Sequence, residues 1–270
     1  MTEELDFLIK YLLSNEKRIK PIKQLPQSNE EKFYLFKYLC NIRETYPISK
    51  EYTDKEKIYL QYLLSKSRVT DINDIKPISK QFPKNKLKNS NLMCIWQGDI
   101  TKLKIDAVVN AANSGGLGCF QPSHNCIDNQ LHTYAGIELR NECEIEMNKL
   151  GRELNNGEAF ITNAYNLPCK KIIHTVGPCI ENRDYPNKNE QIELANCYIN
   201  SLKLAMDNNC RNVSFPCIST GLFSFPKDLA CKIALNSVDE FLSKNENKFD
   251  KIVFNLWNNE DIEVYKRNIL

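Results

Sequence analysis

Three residues with metal-binding side chains, Cys119, His124 and Cys126, stand within eight positions of the chain. Thiolate and imidazole are donors that zinc prefers, and three protein ligands leave a tetrahedral ion one position for water or substrate. The spacing therefore predicts one zinc ion in an open site. Two alternatives stay open, because two thiols near a histidine can coincide by chance in a chain of eleven cysteines, or a distant cysteine could complete a closed structural site.

Two segments rich in small and polar residues have the composition of ligand-binding loops. The first runs from Asn110 to Gly118, where glycines let backbone amides approach a ligand and asparagine amides can bond hydroxyls. The second runs from Cys217 to Pro226 and offers hydroxyls and free amides before a helix start, which suits a pyrophosphate. Either segment could be a plain strand-to-helix connection. Together they favour a nucleotide-like ligand.

Asp128 follows the metal-type ligands at the start of a predicted helix. Capping of that helix is the simpler interpretation, because a helix amino end favours a carboxylate. Its place beside the loops also makes it a candidate for aligning a substrate. His132 and His174 stand in apolar surroundings and are predicted to be core histidines without a chemical role.

Strand-like and helix-like segments alternate from Met93 onward, without an internal repeat. The predicted strands span residues 93–96, 107–110, 159–162, 171–176, 213–216 and 252–256, and the predicted helices span 127–150, 190–208 and 226–242. This alternation predicts an α/β fold with a mostly parallel or mixed sheet covered on both faces. Ligands bind beyond the carboxyl ends of strands in such sheets, so the loops after Asn110 and Pro216 are the ones expected at the site.

The first third of the chain differs in composition, because all nine glycines lie at or after Gly98. It carries an excess of lysine and arginine, whereas the remainder carries an excess of aspartate and glutamate. Apolar residues at helical spacing predict two helices here, and the pairs Ser28 with Glu31 and Thr53 with Glu56 predict capped helix starts, the second near Asp54. A polar stretch after Val69 indicates a linker, and we place the domain boundary near residue 90.

Composition excludes several classes of protein. The chain is 42% apolar and 26% charged, which is typical of a globular protein and not of a disordered one. No run approaches the length of a membrane span, and charges interrupt the first twenty residues, so we expect a cytoplasmic protein without a membrane partner. The net charge of +2 provides no general attraction for duplex nucleic acid, and the odd number of cysteines favours reduced thiols.

Four sequence blocks together resemble the macrodomain family. They are Gly98–Thr101, Asp106–Asn113, Lys171–Pro178 and Ile218–Phe223, in the order that the family has them. Ordinary macrodomains pass from the glycines into a valine-aspartate pair, whereas here the metal-type segment intervenes before Asp128. This departure resembles a zinc-dependent branch of microbial macrodomains, whose members also carry a helical amino-terminal extension.

The resemblance implies a three-layer α/β/α macrodomain with a mixed central sheet over residues 91–270, preceded by a small helical extension and linker over 1–90. It also implies that ADP-ribose binds in a cleft at the strand ends. The implied binding residues are Asp99 at the adenine amino group, Ile100 beside it, Ser219, Thr220, Gly221 and Leu222 at the diphosphate, Phe223 against the distal ribose, and Ile127 through its backbone. The implied catalytic residues are Asn113 and Asp128 at the distal ribose, and the implied zinc ligands are Cys119, His124 and Cys126.

The activity implied by the resemblance is that of a glycosidase-type hydrolase that removes mono-ADP-ribose from protein side chains, with aspartate or glutamate the expected linkage. The implied partners are the ADP-ribosylated acceptor, with a lipoyl-carrier protein like glycine cleavage H protein as one candidate, and a functionally linked sirtuin-type ADP-ribosyltransferase. The zinc either activates water or coordinates the distal ribose; we favour coordination, because two thiolates make the ion formally neutral and a poor acidifier of water. The alternative function is a non-catalytic ADP-ribose reader with a structural zinc.

Overall fold

A six-stranded mixed sheet forms the centre of the protein, which we describe from a computed structural model over residues 1–19, 24–180 and 185–270. Its strands are β2 Met93–Gln97, β4 Ala107–Ala112, β5 Ala159–Asn163, β6 Lys171–Val176, β7 Asn212–Phe215 and β8 Lys251–Leu256, and a separate two-stranded parallel pair joins β1 Thr70–Asp71 to β3 Leu103–Lys104. The six strands have the order β2-β8-β7-β4-β6-β5, and every neighbouring pair is parallel except β5 with β6.

Helices pack on both faces of this sheet. They are α1 Thr2–Asn15, α2 Asn29–Ile42, α3 Lys50–Ser65, α4 Ile78–Gln81, α5 Ile127–Ala135, α6 Ile137–Leu150, α7 Lys188–Asp207, α8 Lys227–Lys244 and α9 Asn259–Ile269. Successive residues of β4 show the two faces, because Val109 packs in the cluster with α7, α8 and α9 whereas Val108 packs in the cluster with α5 and α6. The predicted three-layer arrangement is confirmed. Within the described ranges, every helix is too short or too polar to cross a membrane.

The predicted strands and helices occur with small shifts, but two helix predictions were wrong. The helix predicted over 127–150 is two helices, because Gly136 takes φ +100° and interrupts it. The third amino-terminal helix begins at Lys50 and not near Asp54, since the Ser49 hydroxyl accepts the Tyr52 N–H at 3.2 Å. The predicted cap at Ser28 is confirmed by its bond from the Glu31 N–H, also at 3.2 Å.

The three amino-terminal helices enclose a core of their own. Leu8 of α1, Phe36 of α2 and Tyr52 of α3 are fully buried there, and Ile137 of α6 packs in the same cluster. In the polar stretch that follows, Ile75 and Ile78 pack against the sheet layers. The boundary near residue 90 stays a prediction.

Glu56 of α3 joins this helical part to the rest of the molecule. Its buried carboxylate accepts the N–H of Ile137, the first residue of α6, at 2.7 Å and the Tyr52 hydroxyl at 3.0 Å. Burial raises the pKa of Glu56 above its ordinary value. The Glu56 carboxylate therefore satisfies a backbone N–H at the start of α6 that has no partner within the helix. Because Gly136 directly precedes Ile137, its backbone lies against the same carboxylate.

The Gly136 backbone should tolerate no side chain. Its φ of +100° and ψ of −179° lie in a region that essentially only glycine occupies, and a Cβ would lie 2.6 Å from the pinned Glu56 Oε2. Gly136→Ala should lower the free energy of unfolding by about 3 kcal/mol or more. Gly151→Ala is the matched control, because φ there is +70° but nothing lies within 4 Å, and it should cost about 1 kcal/mol. Urea denaturation measures both variants. Equal decreases in their free energies of unfolding would show that the contact between Gly136 and Glu56 does not restrict residue 136.

Candidate functional site

A cleft of about 580 Å³ opens at the carboxyl ends of β4 and β7. All the site residues that the family resemblance implied line it: Asp99, Ile100, Asn113, Cys119, His124, Cys126, Ile127, Asp128, Ser219, Thr220, Gly221, Leu222 and Phe223. A larger groove of about 780 Å³ lies between α7 and α8 and contains none of them. The cleft is therefore the place where the candidate chemistry comes together.

The three metal-type ligands form one cluster on the cleft wall. The ligand atoms of Cys119, His124 and Cys126 lie within 4.8 Å of one another, and Cys119 Sγ is 3.5 Å from His124 Nδ1. All three side chains are half-buried, so each has one side toward the protein and one toward the cleft. Burial raises the pKa of the Cys126 thiol to about 12. The donor types and their spacing fit a zinc ion with an open position.

The loop that carries this cluster is held from inside the protein. Cys126 Sγ caps α5 by accepting the Asn129 N–H at 3.4 Å. The Asn129 side chain donates to the carbonyl oxygens of Gln121 at 3.2 Å and His124 at 3.0 Å. The loop geometry therefore depends on buried hydrogen bonds and not on the metal ligands alone.

Arg140 of α6 connects the loop to the amino-terminal helices. Its guanidinium donates to the Leu117 carbonyl at 2.8 Å, to the Cys40 carbonyl at 3.1 Å and to the Arg43 carbonyl, and it stacks 4.5 Å from the centre of the Phe120 ring. Burial, with Arg43 nearby, lowers the pKa of Arg140 to about 9, so the group stays charged at neutral pH. One buried cation thus joins the extension to the start of the loop over residues 119–126, the metal loop.

Asn41 of α2 makes a further contact between the extension and the loop. Its Oδ1 accepts the Ser123 N–H at 3.2 Å, one residue before His124. Lys37, one turn earlier on α2, lines the cleft itself. The helical extension therefore contributes directly to the wall of the cleft at its metal end.

Asp128 is buried and does not cap its helix, because Cys126 occupies the cap position. The capping interpretation was wrong for this reason. The Asp128 carboxylate accepts a hydrogen bond from Asn110 Nδ2 at 2.7 Å. Burial raises its pKa to about 6, against the lowering effect of that hydrogen bond.

Asn113, the other candidate catalytic residue, donates from Nδ2 to the Gly118 carbonyl at 3.0 Å and so shapes the glycine run.

Two further turns contribute to the lining of the cleft. Asp99 caps a short 3₁₀ turn by accepting the Thr101 N–H at 3.0 Å, and its carboxylate pairs with Lys102 at 3.1 Å. In the turn after β7, Ser219 takes φ +63° and its carbonyl accepts the Phe225 N–H at 3.0 Å. The buried Ser219 hydroxyl is without a hydrogen-bond partner among the described residues.

Sequence reasoning missed three residues that line this cleft, Lys37, Lys227 and Trp257, and the role of Asn110 behind it. Lys37 was missed because nothing in the sequence shows which face of α2 meets the macrodomain. Trp257 was missed because it follows β8, a strand end that carried no motif. Lys227, the first residue of α8, lines the cleft too and pairs with Asp261 at 2.9 Å, but the segment singled out in the sequence ended at Pro226. Asn110 was visible as the residue ending the predicted β4, but its side chain was not recognised as the partner of Asp128.

Fold and site together define a class of protein: a three-layer α/β domain whose cleft opens beyond the carboxyl ends of parallel strands. The profile of the Macro domain family matches residues 109–234. A Staphylococcus aureus (strain MSSA476) protein described as a protein-ADP-ribose hydrolase is 42% identical over 261 residues, covering 96% of this chain and 93% of that protein. The chain belongs to the macro domain family.

Two further similarities agree with this assignment. A Treponema medium protein, also described as a protein-ADP-ribose hydrolase, is 40% identical over 261 residues and covers 97% of this chain and 96% of its own length. The crystal structure of a Trypanosoma brucei macrodomain in complex with ADP-ribose is similar with a TM-score of 0.64 and 26% identity, covering 83% of this chain and 91% of that one. The similarity to the two bacterial proteins includes the helical extension, since it spans nearly the whole chain.

Removal of the Arg140 cation should loosen the metal loop and the extension together. Arg140→Met leaves three carbonyl oxygens without their donor, and we expect a loss of about 3 kcal/mol or more in unfolding free energy. Arg152→Met is the matched control, because the exposed Arg152 pairs only with Glu158 and the carbonyl of its neighbour, and its unfolding midpoint should hardly change. Thermal and urea unfolding measure both variants. A stable Arg140→Met protein would show that the loop is held by other contacts.

Proposed function

We propose that this protein is a zinc-dependent hydrolase that removes mono-ADP-ribose from modified protein side chains. The observation that carries the proposal is the position of the Cys119, His124 and Cys126 cluster beside the buried Asp128 on the wall of one cleft. Two relatives similar over nearly the whole chain are described as protein-ADP-ribose hydrolases, which supports the same activity here.

ADP-ribose lies along the cleft from the Asp99 end to the metal end. The Asp99 carboxylate accepts from the adenine amino group, and Ile100 lines that end. The turn of Ser219, Thr220, Gly221 and Leu222 donates hydroxyl and backbone groups to the diphosphate, for which the partnerless Ser219 hydroxyl is well placed. Phe223 packs against the distal ribose.

The reacting end of the substrate meets Asn113, Asp128 and the metal cluster. Zinc held by Cys119, His124 and Cys126 would supply a Lewis acid that polarises an oxygen of the distal ribose. Asn113 and Asp128 orient the hydroxyls of that ribose, and the Ile127 backbone assists them. Because Asp128 is buried and held by Asn110, it presents its carboxylate in one fixed direction.

The modified protein, which is attached to the distal ribose, extends out of the cleft at the metal end, where Lys37 of the extension lies. We propose aspartate or glutamate as the linked side chain. A lipoyl-carrier acceptor, a sirtuin-type ADP-ribosyltransferase partner and a cytoplasmic location stay predictions from the sequence.

The first experiment measures release of ADP-ribose from acceptors modified on aspartate or glutamate, with serine-linked substrate for comparison. Release should stop with a chelator and return with zinc. Cys119→Ala and His124→Ala should lower release at least about 100-fold and change the dissociation constant for ADP-ribose by less than about threefold, because the metal end acts mainly in the reaction. Cys210→Ala is the matched control, since this thiol lies just before β7, at the opposite edge of the sheet.

Each other outcome has a clear meaning. Binding of ADP-ribose without release from any linkage, zinc present, would indicate a reader module with a structural zinc. Unfolding on chelation would indicate a closed structural site. Normal turnover by Cys119→Ala would remove the metal from the mechanism.

A further inference from the structure

A chain of buried side chains runs from Asp128 away from the cleft into the sheet. Asn110 Nδ2 lies 2.7 Å from Asp128 Oδ1 and 3.1 Å from His174 Nδ1. His174 Nε2 lies in turn 3.0 Å from the Thr162 hydroxyl oxygen. All four side chains are at most 3% exposed. Of the four, only Asp128 lines the cleft.

The chemistry of these groups fixes the direction of each hydrogen bond. An ionised carboxylate can only accept, so the Asn110 group facing it must be the amide nitrogen. The second hydrogen of that nitrogen points to His174 Nδ1, which must therefore be the unprotonated ring nitrogen. Burial lowers the pKa of His174 to about 3, so the ring is neutral and carries its single proton on Nε2. That proton is donated to Thr162.

Strand pairing holds this chain of hydrogen bonds in register. Asn110 of β4 is the direct partner of His174 of β6, and His174 is the direct partner of Phe160 of β5. The Phe160 ring stacks on the imidazole with 4.6 Å between centroids and 8° between planes. Thr162, two residues further along β5, faces the same side as Phe160. Three adjacent strands thus each contribute one rigidly held side chain.

We propose that Asn110 and His174 are positioning residues that set the orientation of the Asp128 carboxylate for hydrolysis, with Thr162 fixing the tautomer of His174. This inference rests on the proposed function. A purely structural role does not account for the arrangement, because apolar side chains at these buried positions would avoid the cost of desolvating polar groups. The polar chain ends on Asp128, an acidic group that lines the cleft.

A second metal site is the competing interpretation of the same region. The ligand atoms of His132, Cys143 and His174 also lie within 4.8 Å of one another. Both ring nitrogens of His174 are already engaged, by Asn110 and by Thr162, which leaves none for a metal. His132 Nε2 lies 3.5 Å from Asp128 Oδ1 without a hydrogen bond between them. The hydrogen-bonded chain explains more of the contacts.

The test compares turnover with binding in full-length variants purified with zinc. Thr162→Val removes the acceptor from His174 without changing volume and should lower kcat about three- to tenfold, whereas Thr162→Ser should restore it. Asn110→Ala should lower kcat about 30-fold or more. Neither Thr162→Val nor Asn110→Ala should change the dissociation constant for ADP-ribose by more than about threefold, since Asp128 orients the distal ribose and makes only a small part of the contact with ADP-ribose. Thr133→Val is the matched control, a buried hydroxyl without a partner whose loss should leave kcat unchanged.

Nitrogen-15 NMR of the wild-type protein gives an independent readout, in which His174 should be neutral and protonated on Nε2. Protonation on Nδ1, unchanged kcat in Thr162→Val, or a second zinc equivalent that Cys143→Ala removes would each overturn the proposal. If Asn110→Ala does not fold, the two Thr162 variants decide the question. Failure of the wild-type protein to release ADP-ribose would instead count against the proposed function.

Discussion

The parallel pairing of β4 with β7 is the constraint on which the cleft depends. Ala107 pairs with Val213 and Val108 with Ser214, so both strands end at the same edge of the sheet. The glycine run after β4 and the turn after β7 therefore meet there, although about a hundred residues separate them in the sequence. The metal loop and α5 continue directly from the glycine run, which is why the cluster of Cys119, His124 and Cys126 lines the same cleft as the Ser219 turn.

The amino-terminal helices stabilise the same edge through two buried charges. Glu56 closes the start of α6, and Arg140, one turn into α6, donates to carbonyls of both the extension and the glycine run. Buried charges cost free energy unless they are hydrogen-bonded, so these groups hold the extension to the sheet domain in one orientation. That orientation brings Lys37 and Asn41 of α2 to the metal end of the cleft. The extension is therefore part of the site as well as a folded unit with its own core.

The sequence was sufficient to predict the parts of this protein that depend on local patterns. Alternating apolar segments predicted the sheet and its covering helices, and the spacing of Cys119, His124 and Cys126 predicted a cluster that the structure brings together. The break at Gly136 was missed, because a single glycine in a periodic segment does not reveal a positive φ. Lys37 was missed because packing between helices is set by tertiary contacts, and the partner of Asp128 was missed because strand register, not sequence distance, brings Asn110 and His174 together.

Several buried polar groups without partners lie around this site, and others lie elsewhere, for example at Arg43, Ser201 and Ser214. Asn110, Asn129, His132 and Ser219 each carry a buried polar atom with no hydrogen bond among the described residues. Such atoms cost stability, and a chain under no other demand would replace several of them with apolar groups. Those at the site lie on β4, on α5 and in the turn after β7, where they are donors and acceptors close to one edge of the sheet. The orientation of the Asp128 carboxylate depends on this part of the sheet, because Asn110 of β4 and His174 of β6 form the hydrogen-bonded chain behind it.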